Sequence, residues 1–376
     1  MSLRDIFCQD RAVGRLQQAF AAGRLAHAYI FAGPDGVGKQ TTAQAWAKML
    51  LCRNRTEKKG PGPFFDSCGE CGSCRVFEGG GHPDYHLIEK ELRPFTAKDK
   101  GKEAKKDLAI SVIREFLLDK VASRPAMGDH AVFVIRQAER LNASSQNALL
   151  KALEEPPKHT LVILLCSRAD KLLPTTLSRC QMVRFGPVDA RHITAALSRL
   201  GVGKAEAEYW ARFSDGRLGQ AITWATLEPK ETTCYEIKTK LIESLARCRL
   251  SDSLELADWM LRAAKGIGEA WALKEPNTSK TDINRLAQKG LLQMIIAAFN
   301  DAMKLTAGIG ENLVNADQAG QIEAIGRRFD AEQSARKIAT AYESTRWIEA
   351  NVNEKLIFEQ LLLNLADSGI ISGLTI

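Results

Sequence analysis

Short apolar runs alternate with helical patterns in the first half of the chain. Between Ala28 and about Phe185 the runs are, in order, AYIFA, YHLI, AVFVI, LVILLC and QMVRF. Each run has the character of a buried strand, and the segments between them have the spacing of amphipathic helices. Strands that alternate with helices in this way predict a parallel sheet covered by helices on both faces.

The second half of the chain has a different pattern. After Pro187 the strand-like runs disappear, and the apolar positions repeat with helical spacing, first in a block to about Ala225 and then from about Pro229 onwards. We expect this half to be all helical, in one or two pieces. Residues 277–282 are expected to form a loop between two of these helices.

Composition limits the class of protein without naming it. At roughly 150 residues per domain, 376 residues predict two or three domains. A hydrophobic share of 45% and a charged share of 26% are typical of a globular protein. The formal net charge of +7 permits an acidic or nucleic-acid partner without requiring one.

The chain opens with charged residues, and no apolar run approaches the roughly 18 residues of a membrane span. The expected location is therefore the cytoplasm, with no membrane partner.

A glycine-rich segment directly follows the first apolar run. The sequence from Gly33 to Lys39 is GPDGVGK, and a helical pattern comes next. Glycines at Gly33, Gly36 and Gly38 allow backbone N–H groups to surround phosphate oxygens, and Lys39 is placed to reach the β- and γ-phosphates. The alternative is a chance glycine turn. The spacing, the lysine and the flanking elements together favour a phosphate-binding loop.

The residues that would hydrolyse ATP are missing from this loop. Gln40 stands where a serine or threonine should hold Mg²⁺. Thr41, one residue on, stays in the candidate nucleotide set, but its hydroxyl lies about 100° around the helix. The strand AVFVI ends in Arg136 and Gln137 instead of an acidic pair, and Glu139 comes two residues too late. We therefore predict no hydrolysis, and leave open whether ATP or ADP binds.

Four of the nine cysteines fall in one short stretch. Cys52, Cys68, Cys71 and Cys74 have the close spacing of thiolates that converge on tetrahedral Zn²⁺. Four sulfurs leave no open position for water, so the predicted zinc is structural. The alternative is a set of free thiols in a surface loop. His82 is assigned to a turn, HPDY, and not to the metal.

Two basic features are ambiguous from their letters alone. Residues 90–106 are rich in lysine and interrupt the sheet pattern. We interpret them as a solvated surface loop in preference to a segment dedicated to binding nucleic acid. Arg179 lies in the triplet SRC before the last strand, where an arginine is most simply a solvated residue. In ring-forming ATPases, however, an arginine reaches the γ-phosphate held by the neighbouring subunit.

The order of these motifs resembles the bacterial clamp-loader ATPases of the AAA+ class. The resemblance is carried by GRLAHAYIFAGPDGVGK, the cysteine cluster, HPDY, ASSQNALLKALEEPP and LSRC, over residues 1 to about 225. Within that family the chain is similar to the delta-prime branch, whose ATP site is commonly degenerate. The segment NVNEKLIFEQLLLNL is similar to the last helix of such subunits.

The resemblance implies a fold and a set of roles. The implied fold is an α/β P-loop AAA+ module over residues 1–187 with an inserted zinc finger at 52–74, a helical lid at 188–228 and an all-α collar at 229–376. It implies that Arg179 acts in trans as an arginine finger and that the zinc is structural. The position of a second sensing arginine in catalytic relatives corresponds to Gly219.

The implied function is a subunit of the DNA polymerase III clamp loader without ATPase activity of its own. Its partners would be a gamma/tau-type motor subunit, a delta-type subunit, the sliding clamp and primed DNA. One alternative is a catalytically active gamma/tau-type ATPase, against which Gln40, Arg136 and Gln137 argue. The other is a zinc-containing DNA-binding module, which the cysteines and the lysine-rich loop favour.

Overall fold

The computed structural model describes residues 2–58, 64–102, 107–230, 232–276 and 278–366. The chain forms two compact units. The first runs to Asp189 and includes Gly216–Gly219, and the second contains the remaining residues from Ala190 onwards. Each unit is described below by itself.

The first unit is built on a five-stranded parallel sheet. Its strand order is β4-β5-β6-β1-β7, and a separate two-stranded sheet pairs β2 with β3. The strands are β1 (Ala28–Ala32), β2 (Thr56–Lys58), β3 (Phe64–Asp66), β4 (Tyr85–Ile88), β5 (Ala131–Ile135), β6 (Thr160–Cys166) and β7 (Gln181–Arg184). The parallel sheet predicted from the five apolar runs is confirmed, strand by strand.

Helices cover the sheet and its connections. They are α1 (Asp10–Ala21), α2 (Lys39–Leu51), α3 (Gly72–Glu78), α4 (Ile110–Ile113), α5 (Asp119–Val121), α6 (Ala143–Glu154) and α7 (Pro174–Leu177). A π-helical stretch, Arg114–Leu118, joins α4 to α5. A 3₁₀ helix, Lys90–Phe95, follows β4.

Both faces of the sheet are buried, as the continuous apolar runs require. In β5, Val132 and Val134 belong to the core on one face, and Phe133 and Ile135 belong to the core on the other. Successive side chains of a strand point to opposite faces, so a strand with no polar position is buried on both sides. Because the five strands run parallel, their carboxyl ends all lie along one edge of the sheet.

The small hairpin of β2 and β3 has no counterpart among the predicted strands. Each of its strands has three residues, which is too short to show an alternating pattern. It lies in the chain between Cys52 and Cys68, inside the segment predicted to bind zinc.

The second unit is helical throughout its described residues, as predicted. Its helices are α8 (Ala190–Arg199), α9 (Lys204–Phe213), α10 (Leu218–Thr226), α11 (Cys234–Arg247), α12 (Ser253–Lys274), α13 (Lys280–Thr306), α14 (Ala319–Arg328), α15 (Ala331–Glu349) and α16 (Glu354–Ala366). The loop expected over 277–282 ends earlier than predicted, because α13 begins at Lys280; position 277 lies outside the described residues. The Ser279 side chain caps α13 by accepting a hydrogen bond from the Asp282 N–H.

An aromatic cluster fills the core between the first helices of this unit and α12. Trp210 stacks on Trp224 with ring centres 5.8 Å apart, and Trp271 meets Trp224 edge-on at 5.6 Å. Trp224 also closes over Gly290 of α13, where an added Cβ would lie 2.1 Å from the indole ring. Apart from residues 188–189 and 216–219, the predicted lid and collar lie within one compact unit, and their separation into two domains remains a prediction.

Among the described residues, no helix is both long enough and apolar enough to cross a membrane.

Candidate nucleotide and metal sites

The glycine loop connects the end of β1 to the start of α2. Gly36 and Gly38 have φ values of +80° and +98°, which favour glycine because it has no Cβ. A Cβ on Gly33 would lie 2.4 Å from the backbone oxygen of Phe185. The loop therefore needs these glycines for its backbone path, and its N–H groups lie at the N-terminus of a 13-residue helix.

Lys39 is folded onto its own loop. Its Nζ donates to the carbonyl oxygens of Gly33 at 2.5 Å and Pro34 at 2.7 Å, and lies 3.3 Å from the Asp35 carboxylate. The side chain is 6% exposed. A phosphate group would have to replace these contacts to bind the ammonium group.

Thr42, in the first turn of α2, does not replace the missing magnesium ligand. Thr42 donates its hydroxyl to the Gly38 carbonyl oxygen at 2.8 Å and is fully buried. Thr41 and Gln40 are partly exposed at the start of the helix. The hydroxyl of Thr42 is consequently committed to the helix backbone.

An ion pair occupies the strand ends where acidic residues were sought. The Arg136 guanidinium, after β5, donates to the Glu89 carboxylate, after β4, at 2.7 Å. The Arg136 N–H also donates to the Ile88 carbonyl oxygen at 2.8 Å. Glu89 thus neutralises the arginine, a role that the sequence alone did not suggest because the two residues are 47 positions apart.

Gln137 and Glu139, the other residues considered at this strand end, are also constrained. Gln137 has φ +51° and ψ 51°, a left-handed conformation that ordinary residues adopt at a cost. Glu139 accepts hydrogen bonds from Ser167, from its N–H at 3.2 Å and its hydroxyl at 2.5 Å. Glu139 therefore fastens the end of β6 and is not free to act as a base.

Gly219 packs directly on the glycine loop. Its N–H donates to the Gly36 carbonyl oxygen at 2.8 Å, and an added Cβ would lie 3.3 Å from the Gly36 Cα. Backbone contact between these two glycines occupies the space that a longer side chain at position 219 would need.

The four predicted cysteine ligands converge. Their Sγ atoms all lie within 4.8 Å of one another. The Sγ–Sγ distances are 3.5 Å for Cys52 to Cys68, 3.9 Å for Cys52 to Cys71 and 4.0 Å for Cys68 to Cys74. A tetrahedron of sulfurs about 2.3 Å from a central zinc has edges of about 3.8 Å. The donor set and its size therefore fit a four-coordinate metal.

Backbone N–H groups are directed at these sulfurs. Cys68 donates to the Cys52 Sγ at 3.3 Å, and Cys71 donates to the Cys68 Sγ at 3.3 Å. Burial alone raises the pKa of the Cys71 thiol, but the N–H groups of Cys74 and Arg53 lower it to about 6. Burial raises the pKa of Cys52 and Cys74. Without a cation, Cys52 and Cys74 therefore resist ionisation.

His82 lies outside the sulfur cluster, in the stretch that leads into β4. Its Nε2 is 3.0 Å from the Ser73 hydroxyl, which donates to the Leu51 carbonyl oxygen at 2.7 Å. Its Nδ1 accepts from the Asp84 N–H at 3.1 Å. Both ring nitrogens are used within the protein, so the histidine ties the cysteine module to α2.

Arg179 lies at the surface after α7. Its guanidinium donates to the Thr175 carbonyl oxygen at 3.0 Å and pairs with the Glu154 carboxylate at 2.6 Å. The arginine side chain is 34% exposed and that of Glu154 is 47% exposed. An exposed guanidinium held by one surface carboxylate is accessible to an anion from outside the unit.

A buried glutamine fixes the segment that leads to Arg179. Gln146 of α6 is 2% exposed. Its amide oxygen accepts from the Leu173 N–H at 2.7 Å, and its amide nitrogen donates to the carbonyl oxygens of Leu141 at 3.0 Å and Lys171 at 3.3 Å. The sequence did not predict the contacts with Lys171 and Leu173, since these residues are 25 or more positions from Gln146.

Comparisons with known proteins agree with this arrangement. The family described as "DNA polymerase III, delta subunit" matches residues 8–189, and that described as "DNA polymerase III, delta subunit, C terminal" matches residues 280–367. A DNA polymerase III subunit delta' of Pseudomonas aeruginosa is 37% identical over 155 residues, which are 41% of this chain and 42% of that protein. The subunit delta' of Bacillus subtilis is 25% identical over 96% of both chains.

More distant relatives also match. The subunit tau of Bacillus subtilis is 28% identical over 58% of this chain and 36% of its own length. A solved structure of a gamma subunit-related protein from Thermotoga maritima aligns with a TM-score of 0.47 at 15% identity, over 93% of this chain and 98% of that one.

The match to the tau relative covers 58% of this chain, whereas the Bacillus subtilis delta' match covers 96% of it. The two matched families lie at both ends of the chain, on the sheet unit and on the last helices. The chain is therefore similar to DNA polymerase III delta' subunits along nearly its whole length.

Proposed function

We propose that this chain is the subunit of a bacterial clamp loader that does not hydrolyse ATP and that completes the ATP site of a neighbouring motor subunit with Arg179. Clamp loading is a step of chromosome replication, which places the protein in the cytoplasm. Its partners in this role are a gamma/tau-type motor, a delta-type subunit, the sliding clamp and primed DNA.

The Arg136–Glu89 ion pair is the main observation that supports the absence of ATP hydrolysis by this chain. Hydrolysis needs a carboxylate to hold Mg²⁺ and a second group to orient the attacking water. At these strand ends the available carboxylates are committed, Glu89 to Arg136 and Glu139 to Ser167. The glycine loop and Lys39 remain, so ATP or ADP could be held without being hydrolysed.

The position of Arg179 supports its proposed role in the ATP site of a neighbouring subunit. An arginine finger must be reachable from another subunit and must be held near its working position. Arg179 is partly exposed, and Gln146 ties the preceding segment to α6. A γ-phosphate from a neighbouring subunit would compete with Glu154 for the guanidinium.

The cysteine cluster supports a structural Zn²⁺. When bound, zinc would supply four bonds that close the segment from Cys52 to Cys74 onto the end of α2. All four donor positions are sulfur, which leaves none for a substrate.

The test is steady-state ATP hydrolysis by the purified chain, alone and mixed with motor and delta-type subunits. We expect no turnover by the chain alone. In the complex, Arg179→Ala should lower the rate by about 10³-fold or more, the effect of an arginine finger in favourable systems. Lys39→Ala should leave the rate of the complex unchanged.

Two outcomes would overturn the proposal. Turnover by the chain alone that depends on Lys39 would make it a motor of the gamma/tau type. An unchanged rate in the Arg179→Ala complex, with assembly intact by size-exclusion chromatography, would remove the role of Arg179.

A further inference from the structure

The lysine-rich segment after β4 forms a loop that is held in place by an ion pair and hydrogen bonds. Asp99, which is 7% exposed, lies 3.3 Å from the Arg93 guanidinium and accepts from the Ser111 hydroxyl at 2.9 Å. The Ala97 N–H donates to both oxygens of Glu115, at 3.0 and 2.9 Å. These bonds fix the loop to the helical segment that begins at α4.

The carboxylates of Asp99 and Glu115 are engaged in these contacts, whereas lysines of the loop are exposed to solvent. Lys98 and Lys100 are exposed, and neither has an ion-pair partner among the described residues. Lys102 shares Asp99 at 3.1 Å, and its side chain is 61% exposed. Lys105 and Lys106 follow in the sequence but lie outside the described residues. The loop therefore presents net positive charge to solvent.

An exposed aromatic residue lies three positions before Lys98 in the sequence. Phe95 is 75% exposed, at the end of the 3₁₀ helix Lys90–Phe95. An isolated phenylalanine with three quarters of its surface in water gives no burial to the fold. Its backbone neighbours, in contrast, are tied down, since the Thr96 hydroxyl donates to the Arg93 carbonyl oxygen at 2.9 Å and accepts from the Asp99 N–H at 3.2 Å.

An exposed ring with flanking cations matches the chemistry of one ligand class. Single-stranded nucleic acid offers unpaired bases, which stack on aromatic rings, and a phosphate chain, which attracts lysines. A base inside a duplex is already stacked on its neighbours and offers no free face. An apolar protein pocket would accommodate Phe95 but would not require unpaired lysines around it.

We propose that Phe95, Lys98 and Lys100 form a contact site for single-stranded DNA, with the ring stacking on one base and the lysines contacting phosphates. The site goes beyond the role of Arg179 and does not require it. It gives this chain its own contact with the template or displaced strand, independent of the rest of the assembly.

The first test is binding of the full chain to a fluorescently labelled oligo(dT) strand, measured by anisotropy over a range of salt concentrations. Phe95→Ala should weaken binding by about 5-fold or more, because stacking contributes at least about 1 kcal/mol per base. Phe95→Trp keeps a ring that can stack on a base, so this variant should bind about as tightly as the unsubstituted chain. Replacing Lys98 and Lys100 by Ala should make the salt slope shallower by about 1.4, at about 0.7 per phosphate contact.

Matched controls come from exposed positions on the other unit. Leu273→Ala removes an exposed apolar side chain, and Lys204→Ala with Lys265→Ala removes two exposed lysines. Neither change should affect the affinity or the salt slope. A duplex of the same length should compete weakly and without dependence on Phe95.

The second test places a photocrosslinking phenylalanine analogue at position 95 in the assembled complex on a primed template. The proposal expects a crosslink to DNA. Crosslinks to protein alone, or affinity for oligo(dT) that is the same in Phe95→Ala and the unsubstituted chain, would overturn it in favour of a protein-docking role. Because these measurements involve no ATP hydrolysis, they fail or succeed independently of the Arg179 experiment.

Discussion

Two sites in the sheet unit differ in how much of their chemistry remains. The glycine loop keeps its backbone path, yet the residues around it are engaged with one another: Lys39 with loop carbonyls, and Arg136 with Glu89. The cysteine cluster keeps every donor, with sulfur separations that match a tetrahedral metal. The fold needs only the backbone path of the loop, whereas catalysis needs the acidic groups as well. A chain can therefore lack the catalytic groups and still form the loop.

The strongest test of this contrast is to remove one donor from the complete site. Cys74→Ser should abolish bound zinc, measured by elemental analysis of the purified chain, and should lower the melting temperature. Structural zinc supplies about 10–16 kcal/mol to zinc-finger peptides at neutral pH. Cys8→Ser, outside the cluster, is the control. Full zinc occupancy in Cys74→Ser would show that the four sulfurs do not act as a set.

The incomplete site should resist restoration by single acids. Arg136→Asp places a carboxylate against Glu89, and we expect a loss of about 2 kcal/mol of unfolding free energy, since it leaves a mostly buried charge unpaired. Adding Glu89→Gln should recover most of that loss in urea denaturation. Arg184→Asp, at the end of β7, serves as the control at an exposed position. A stable Arg136→Asp chain with ATPase activity would show that the ion pair is incidental.

The smallest effect is expected at the surface contact of Arg179. Glu154→Gln removes the carboxylate that competes with a phosphate for the guanidinium. An exposed ion pair of this kind contributes about 0.2–1 kcal/mol, so the ATPase rate of the complex should rise by about 1.4- to 5-fold while the melting temperature barely changes. A rate that falls would mean that Glu154 positions Arg179 instead of restraining it.

The five strands and the helical second half could be predicted because burial on both faces leaves a continuous apolar run, as in AVFVI. The cysteine set could be predicted because its members are local in sequence. Glu89 with Arg136, and Gln146 with Leu173, could not, since these contacts join residues 47 and 27 positions apart and follow from strand order. The start of α13 was missed because Ser279 was included in a loop, although serine is a favoured helix cap.

The distribution of tryptophan decides what an optical probe of this protein can report. Of the six tryptophans, Trp46 alone belongs to the sheet unit, where it is fully buried on α2, between the glycine loop and Cys52. The others lie in the helical unit, with Trp210, Trp224 and Trp271 in ring contact. Intrinsic fluorescence therefore follows chiefly the helical unit, and the difference between the unsubstituted chain and Trp46→Phe isolates the signal from the helix that joins the nucleotide and metal sites.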